Sequence, residues 1–389
     1  MGIYLNNGAT SWPKPKEVCE AISQFISLGG VNLGRGSASF RDMKTASSVL
    51  ECRETLVSFF NGHSHRLPTL VTFTANITES LNTVLNGLLE PGCRVVTTSM
   101  EHNAVIRPLC SLREKGVHVD VVECDSEGRL DLDDLKKELD KKKTDLVVMS
   151  HASNICGTVQ DLKGAAEICR QRGIDLVADT AQTAGHIALD ATELGLAALC
   201  FTGHKGLLGP QGIGGIIWRG DIAQRCRPMI RGGTGSFSDQ EVQPSVMPDK
   251  FESGTLNLPG IAGLNAAVKW IQSETVQKIA AQERAVGERM LDGLLSLPGV
   301  HLYGRQGMEG RVSVFLVNFD GVDNAELAAE LSEHGIETRP GLHCSPWGHR
   351  TLGTFPAGGL RLSPGYFTTA EEVDQALEII GRCAAKLKR

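Results

Sequence analysis

Lys205 is the residue whose setting best suits chemistry. It lies in Phe201-Thr202-Gly203-His204-Lys205-Gly206, just after the apolar run Ala197-Ala198-Leu199-Cys200, which reads as a buried strand. The glycine-rich stretch Gly209-Pro210-Gln211-Gly212-Ile213-Gly214-Gly215 follows and suits tight turns. A lysine held at a strand end, beside a hydroxyl and an imidazole, can be desolvated. Desolvation lowers its pKa and frees the amine to attack a carbonyl. Most loop lysines are simply solvated, but a second strand end argues for more. The run Ile174-Asp175-Leu176-Val177-Ala178-Asp179 ends in a carboxylate, and a buried carboxylate needs a partner.

A Schiff-base lysine and an acid for a pyridinium nitrogen are the two protein groups that pyridoxal phosphate requires. Other residues fit the same cofactor. Phe73-Thr74-Ala75-Asn76-Ile77-Thr78-Glu79 runs from a strand into a helix, so free backbone N–H groups at Ile77 and Thr78, with the Thr78 hydroxyl, make an anion site. Threonine is also an ordinary helix cap. Thr202 and His204 add donors for the phosphate. Thr255, in Phe251-Glu252-Ser253-Gly254-Thr255, offers another hydroxyl or merely a turn. His102 follows Glu101 at a strand end, where an imidazole can stack on a ring, move protons or serve structure alone. Asp179 would keep the ring nitrogen protonated. Gln182 could donate to the phenolic oxygen, and Asn154 could bridge that oxygen and a substrate carboxylate.

These residues need a frame that brings strand ends together. From about residue 70, strands and helices alternate. Strands are expected at 70–73, 94–97, 117–122, 145–149, 174–179 and 197–200, with helices at 78–89, 102–115, 132–142 and 162–172 between them. Gly215-Ile216-Ile217-Trp218 reads as an edge strand. The alternation predicts an α/β fold with a mainly parallel sheet between helices. Ligands bind such sheets outside the carboxyl ends of the strands, where Thr74, His102, His151, Asp179 and Lys205 fall. Residues 227–249 read as a long functional loop. Two helices, 258–273 and 274–297, lead to a smaller α+β unit. It has strands near 300–303, 312–319, 337–339 and 360–362, and helices at 324–334 and 370–387. The expected units are a large domain, 16–258, and a small one, 259–389. Residues 1–15 would pack at the active site or on the small domain.

The chain has 389 residues, 41% hydrophobic, enough for a sizeable core. Its net charge of -6 argues against a nucleic-acid partner. The basic run Lys136-Lys137 with Lys141-Lys142-Lys143 is interleaved with acids and reads as a solvated helix face. The 11 cysteines form no CxxC pair or metal spacing, so a metal site is not expected. Cys169 and Cys200 sit in apolar segments as inert thiols, which suggests a reducing compartment. Without a signal peptide or a run long enough to span a membrane, the cytoplasm is the expected location.

An ordered set of motifs then carries a family resemblance. It comprises Tyr4-Leu5-Asn6-Asn7-Gly8-Ala9-Thr10, Glu101-His102, Ser150-His151-Ala152-Ser153-Asn154, Asp179-Thr180-Ala181-Gln182 and Thr202-Gly203-His204-Lys205. It continues with Phe251-Glu252-Ser253-Gly254-Thr255, Arg339-Pro340-Gly341-Leu342-His343-Cys344, and Arg361 ahead of Ser363. The sequence resembles the pyridoxal phosphate enzymes of aminotransferase class V, and within them the cysteine desulfurases and selenocysteine lyases. The resemblance implies a fold-type I homodimer with sites at the dimer interface. It implies Lys205 as the cofactor lysine, Asp179 on the pyridine nitrogen, His102 over the ring and Gln182 on the phenolic oxygen. It gives the phosphate to Ile77, Thr78, Thr202 and His204, with Thr255 from the other subunit. Arg361 and Asn154, with Arg339 and Arg35 nearby, would receive the substrate, an arginine fork matching a carboxylate. Cys344 would take the sulfur of L-cysteine as a persulfide, its thiolate favoured by Arg339 and His343. An acceptor protein for sulfur or selenium would follow. Rival readings are a selenocysteine lyase acting on L-selenocysteine, an aminotransferase without a sulfur step, and a non-catalytic relative. Asn6-Asn7-Gly8 stands where the family commonly has Asp and Ala, and Asn76-Ile77 where relatives often have Gly and Thr. Ile77 therefore offers only its N–H.

Overall fold

The computed structural model describes residues 2–28, 30–33, 39–62 and 67–389. Strand β1 (Ile3–Tyr4) is short and belongs with the second unit. The next seven, β2 (Val71–Thr74), β3 (Arg94–Thr98), β4 (His118–Val122), β5 (Leu146–Ser150), β6 (Asp175–Asp179), β7 (Ala198–Thr202) and β8 (Gly214–Trp218), form one sheet in the order β2-β8-β7-β6-β5-β3-β4. The run from β4 to β7 is parallel, and β8 is antiparallel to both neighbours. Strands β3, β5, β7 and β8 are buried along their whole length. That is why they read as near-continuous apolar runs and not as alternating ones: helices cover both faces.

One strand departs from expectation. Gly215-Ile216-Ile217-Trp218 is not at an edge but lies between β2 and β7, and β2 takes the edge. The glycine-rich loop after Lys205 turns the chain back beside β7, and β2 then closes on the new strand. Trp218 is fully buried there, stacks on Phe251 with ring centroids 4.6 Å apart, and donates its indole N–H to Thr72 Oγ1 at 2.8 Å. An unbroken run with no polar side chain fits an interior strand better than an edge.

The helices follow from apolar spacing and capped starts. In Leu162–Gln171 the buried residues Leu162, Ala165, Ala166 and Cys169 make a single stripe, and the Asp161 side chain accepts the Gly164 N–H at 2.8 Å. Burying such a leucine is worth about 1.5–3 kcal/mol. The basic run belongs to helix Leu132–Lys141, where Lys136 and Lys137 pair with Asp133 and Asp134 on the exposed face. Helix Leu258–Glu274 buries Leu258, Ile261, Leu264, Val268 and Ile271 in the core that also contains Leu56, Phe60 and Phe201 of the large unit.

The second unit holds β9 (Val300–Tyr303), β10 (Phe315–Phe319), β11 (Ile336–Glu337), β12 (Arg339–Gly341) and β13 (Gly359–Leu362). Four of these form an antiparallel sheet in the order β12-β13-β10-β9. The fifth, β11, pairs in parallel with β1. Helix Ala370–Leu387 starts with a full capping box between Thr369 and Glu372 and buries Val373, Ala376, Leu377 and Ile380 against this unit. The N-terminal segment touches both units: Asn6 bridges to Ser363, while Ser11 donates to the carbonyls of His204 (3.1 Å) and Lys205 (2.9 Å). No helix among the described residues is long and apolar enough to cross a membrane.

A partly buried ion pair joins the units. His186, past β6, meets Glu283 of helix Val276–Ser296 at 2.6 Å. Burial pulls the imidazole pKa down, but the carboxylate more than offsets this and the net direction is up. The contribution to stability is therefore complete below the unfolded value of about 6.5 and is lost as pH rises through the raised folded value. Thermal melts of wild type and Glu283→Gln should differ most at pH 6 and converge toward pH 9. A difference that stays constant with pH would show that the pair is not the source.

Candidate functional site

The parallel strands deliver their ends to one crevice. His102 lies past β3, Asn154 past β5, Asp179 ends β6, and Lys205 lies three residues beyond β7. The small unit adds Arg339 from β12, Arg361 from β13, and Cys344 from the loop between them.

Lys205 is half-buried, and the glycine after it is obligatory. A Cβ at Gly206 would stand 2.3 Å from His186 Nε2 and 2.4 Å from the Ala184 carbonyl oxygen. The loop is held from below by Ser11 and by Lys14, whose Nζ donates to Ser11 Oγ at 2.6 Å and to the His204 carbonyl at 2.8 Å. Burial lowers the Lys205 pKa to about 8; Asp179 works against this, and Arg361 and Arg339 add to it. The amine thus has a substantial neutral fraction near neutral pH, the form that attacks carbonyls. Burial raises the Asp179 pKa, against the Ala181 N–H bonded to its Oδ1 at 2.9 Å and the Lys205 charge.

His102 caps helix Asn103–Glu114. Its Nδ1 accepts the Ala104 N–H at 3.0 Å, which fixes the proton of the neutral ring on Nε2. Burial, then the charges of Lys205 and Arg361, push its pKa down to about 3, so the ring is a neutral plate across the working pH range. Beneath it Glu101 is fully buried. Its carboxylate accepts Thr98 Oγ1 at 2.6 Å, Ser150 Oγ at 2.8 Å and Ser150 N–H at 3.0 Å, tying β3 to β5. Burial raises its pKa to about 7, partly countered by those bonds.

The donor sets fit an anion pair. Buried side-chain atoms lacking a hydrogen-bond partner include Thr202 Oγ1, His204 Nδ1 and Arg361 Nε. An unmade bond of this kind costs about 1–3 kcal/mol, so such groups point to a ligand. Thr202 and His204 flank the lysine loop, as a phosphate would need. Past the end of β2, which runs the same way as β7, the Asn76 side chain caps the Glu79 N–H of helix Ile77–Leu88 at 3.0 Å. First-turn N–H groups have no intrahelical acceptor, so those of Ile77 and Thr78 suit an anion. Ile77 itself is buried and Thr78 exposed.

Arg361 is 2% exposed and stands directly across from Arg339 in the β12–β13 pair. Among the described residues its guanidinium donates to neutral oxygens, Asn154 C=O at 2.9 Å and Asn6 Oδ1 at 3.2 Å. Burial and then Arg339 lower its pKa to about 10. Two neighbouring cations, one buried, are the natural seat of a carboxylate. Asn6, a neutral amide, thus orients this arginine without neutralising it. At Gly8 a Cβ would lie 3.3 Å from Ser363 Oγ and 3.4 Å from the Arg361 guanidinium carbon, so the backbone passes close to this arginine.

Cys344 is exposed, and both it and His343 adopt left-handed backbone, φ 59 and 49. Such conformations cost about 1–3 kcal/mol each for residues with a Cβ, and the surroundings hold them. His343 does not support the thiolate as the sequence suggests. It is buried, its Nε2 donates to the Arg339 carbonyl at 2.9 Å, and its Nδ1 accepts from His349 Nε2 at 3.3 Å. Burial lowers its pKa to about 3, so it brings no positive charge. Arg339, exposed beside the loop, is the cation left for that task.

Two expected cofactor contacts are already engaged. Gln182 Nε2 donates to Gly8 C=O at 3.0 Å. Asn154 Nδ2 donates to His343 C=O at 2.7 Å, and its Oδ1 accepts Ser345 Oγ–H at 2.7 Å. Each amide nitrogen keeps a second hydrogen for a ligand. Thr255 is exposed and lines a surface hollow with Gly233, Thr234 and Gly254 whose lining does not include Lys205. Arg35 lies outside the described residues. Sequence reasoning missed Asn6, Lys14, Ser345 and His349. Asn6 and Ser345 stand inside motifs quoted for other residues, but no residue spacing betrays Lys14 or His349.

Comparison with known proteins agrees with this geometry. The aminotransferase class-V profile matches residues 3–376. A protein of Methanothermobacter thermautotrophicus described as a probable cysteine desulfurase is 33% identical, with 95% of this chain and 92% of that protein aligned. One of Pyrococcus abyssi, described the same way, is 32% identical over 99% and 95%. The apo cysteine desulfurase structure from Thermococcus onnurineus superposes with a TM-score of 0.92 at 31% identity, covering 99% of this chain and 95% of that one. With the strand-end lysine and acid in place and residues 3–376 matched, this protein belongs to the aminotransferase class-V family.

Proposed function

We propose that the protein is a pyridoxal-phosphate-dependent cysteine desulfurase, a sulfurtransferase that converts L-cysteine to L-alanine and leaves the sulfur on Cys344. The carrying observation is convergence: β6 and β7 deliver Asp179 and Lys205 to the crevice at which β12, β13 and the loop between them present Arg339, Arg361 and Cys344, with Arg361 bonded to the Asn154 carbonyl at 2.9 Å. A cofactor lysine, a ring acid, a carboxylate seat and an external thiol meet at one place. Enzymes of this class use pyridoxal phosphate in general. When bound, that cofactor supplies an electron sink for the substrate's α-carbon.

The chain's own residues do the rest. Arg361, assisted by Arg339, holds the substrate carboxylate, and Asn154 and Gln182 can each direct a spare N–H at the ligands. Thr202, His204, Thr78 and the Ile77 N–H take the phosphate. Asp179 would hold a proton on the cofactor's ring nitrogen, and neutral His102 would shield the cofactor from water. Lys205 has the pKa to take and return a proton at the α-carbon. The Cys344 thiolate then attacks the substrate sulfur. An S–S bond forms, the Cβ–S bond breaks, and its electron pair stays on Cβ, which takes a proton to become the methyl of alanine. Cysteine plus enzyme thiol gives alanine plus enzyme persulfide, with no external oxidant or reductant. An acceptor protein removes the sulfur. Purified protein given L-cysteine, L-selenocysteine or an amino acid and keto acid pair tests the reading. Alanine with sulfide or persulfide from cysteine is the expected result. Transamination alone, or activity on selenocysteine only, would replace it.

The boundary between the two units is better drawn at the Thr275 joint than at 258/259, since helix Leu258–Glu274 packs in the large core. The working form is a homodimer. Within one chain Thr255 lines a hollow whose lining does not include Lys205, and exposed apolar residues such as Phe40, Leu28 and Ile26 need cover. Mixing Lys205→Ala with Thr255→Ala subunits should regain activity through the one site with both residues intact. Mixed dimers that form yet stay inactive would count against a shared site.

Arg361→Ala should mainly weaken substrate binding. A charge-assisted bond of this sort is worth about 1.5–3 kcal/mol, so the KM for cysteine should rise roughly 10- to 150-fold with the cofactor absorbance retained. An unchanged KM would reject the role.

A further inference from the structure

The loop that carries Cys344 is gripped on both sides of the thiol. Asn154 Nδ2 holds the carbonyl of the residue before it, His343, and Asn154 Oδ1 holds the hydroxyl of the residue after it, Ser345, each at 2.7 Å. The Cys344 carbonyl itself accepts the Asn103 N–H at 2.7 Å, at the start of the helix that His102 caps. Ser345 is fully buried, and the Asn154 carbonyl is held by Arg361 at 2.9 Å. From beneath, Thr354, His349 and His343 form a chain of hydrogen bonds that ends on the Arg339 carbonyl. Two successive left-handed residues do not persist in an exposed loop without such restraint.

We propose that Ser345, acting through Asn154, is a positioning residue for sulfur transfer. The Asn154–Ser345 clamp keeps Cys344 in its left-handed pose and so aims the thiol at the substrate sulfur. It also links the nucleophile loop to the carboxylate seat, because Arg361 grips the same asparagine. The inference rests on the persulfide reading above. Reaction rates respond steeply to placement, a misfit of about 1 Å being able to cost 10²-fold. Ser345 bonds only the Asn154 Oδ1, whereas Arg361 holds the Asn154 backbone carbonyl and the spare amide hydrogen is on Nδ2, so loss of the Ser345 hydroxyl acts on the transfer step and leaves cofactor and substrate binding to the other atoms.

The test uses the cofactor-loaded enzyme with Ser345→Ala, Ser345→Thr and Cys344→Ala side by side. In Ser345→Ala the cofactor absorbance, its change on mixing with L-cysteine, and the KM should stay within about twofold of wild type. The kcat for alanine and the single-turnover rate of persulfide formation on Cys344, followed by mass spectrometry, should both fall on the order of tenfold. Ser345→Thr keeps a hydroxyl for Asn154 and should recover most of the rate. Wild-type kcat in Ser345→Ala overturns the clamp. So does a loss in which cofactor binding and KM fail together with kcat, which would mark a general packing role, and so does a threonine variant as slow as the alanine one. Full cysteine turnover in Cys344→Ala would instead remove the persulfide reading, so the two failures are distinguishable.

Discussion

Lys205→Ala protein is expected to be colourless or to hold its cofactor only loosely, and to turn over cysteine at least about 10³-fold more slowly. The size follows from losing two functions at once, the covalent hold on the cofactor and a proton-moving amine, general acid–base catalysis alone being worth about 10²–10⁴-fold. Structure explains why no other lysine substitutes. Lys14 is nearby and burial lowers its pKa to about 8, but its Nζ is bound to Ser11 Oγ and the His204 carbonyl. It serves as a strut under the loop. Borohydride treatment of the wild type should fix the cofactor on a peptide containing Lys205. Trapping on Lys14, or a Lys205→Ala variant that keeps its colour and rate, would overturn the assignment. The amine's lowered pKa adds a pH test. Cofactor uptake by the apoenzyme should quicken as pH rises through about 8, where the neutral amine takes over.

The large sheet was legible because its strands have both faces covered, which leaves apolar runs, and because each strand end carried a polar residue out of keeping with its run. Asp179 is the clearest case, a carboxylate closing Leu176-Val177-Ala178. Helix Ala370–Leu387 could be read to the residue because Thr369 and Glu372 announce its start. Where the reading failed, the missing information was tertiary. Nothing local in Gly215-Ile216-Ile217-Trp218 says that β2 will close over it. The short helix Pro346–Thr351 hid behind a proline, which a helix accepts at its first turn. His343 showed its residue type but not its direction: two imidazoles six residues apart, His343 and His349, turn toward each other because a helical turn separates them. The charge expected beside Cys344 is therefore absent from the histidine and rests on Arg339. Asn154 reads as a candidate site residue from its motif, yet its grip on His343 and Ser345 needs the loop's return from the small unit, some 190 residues later in the chain.

Cys344→Ala should bind cofactor and substrate normally and release alanine from cysteine roughly 10²-fold more slowly, the loss of a nucleophile held near its target. The expectation separates two steps. In the proposed reading substrate binding depends on Arg361 and Lys205, and the bonds Arg361 makes go to Asn154 and Asn6, not to Cys344. Breaking the Cβ–S bond depends on what receives the sulfur, and of the 11 cysteines only this one stands on the loop beside the Arg339–Arg361 pair. The others give no ready substitute: Cys19 and Cys110 are exposed but lie on helices Lys16–Ser27 and Asn103–Glu114, while Cys52, Cys169 and Cys226 are buried thiols whose pKa burial pushes up to about 12. Selenocysteine turnover should survive better in the variant, because selenium leaves carbon more readily without an attacking thiol. Mass spectrometry of the wild type after turnover should place the added sulfur on the peptide containing Cys344. Persulfide found solely on another cysteine, or full cysteine turnover by Cys344→Ala, would assign the sulfur step elsewhere. Retained substrate-bound absorbance with blocked alanine release would locate the defect at the carbon–sulfur bond, where an exposed thiol on a rigid turn can act and the buried residues of the crevice cannot.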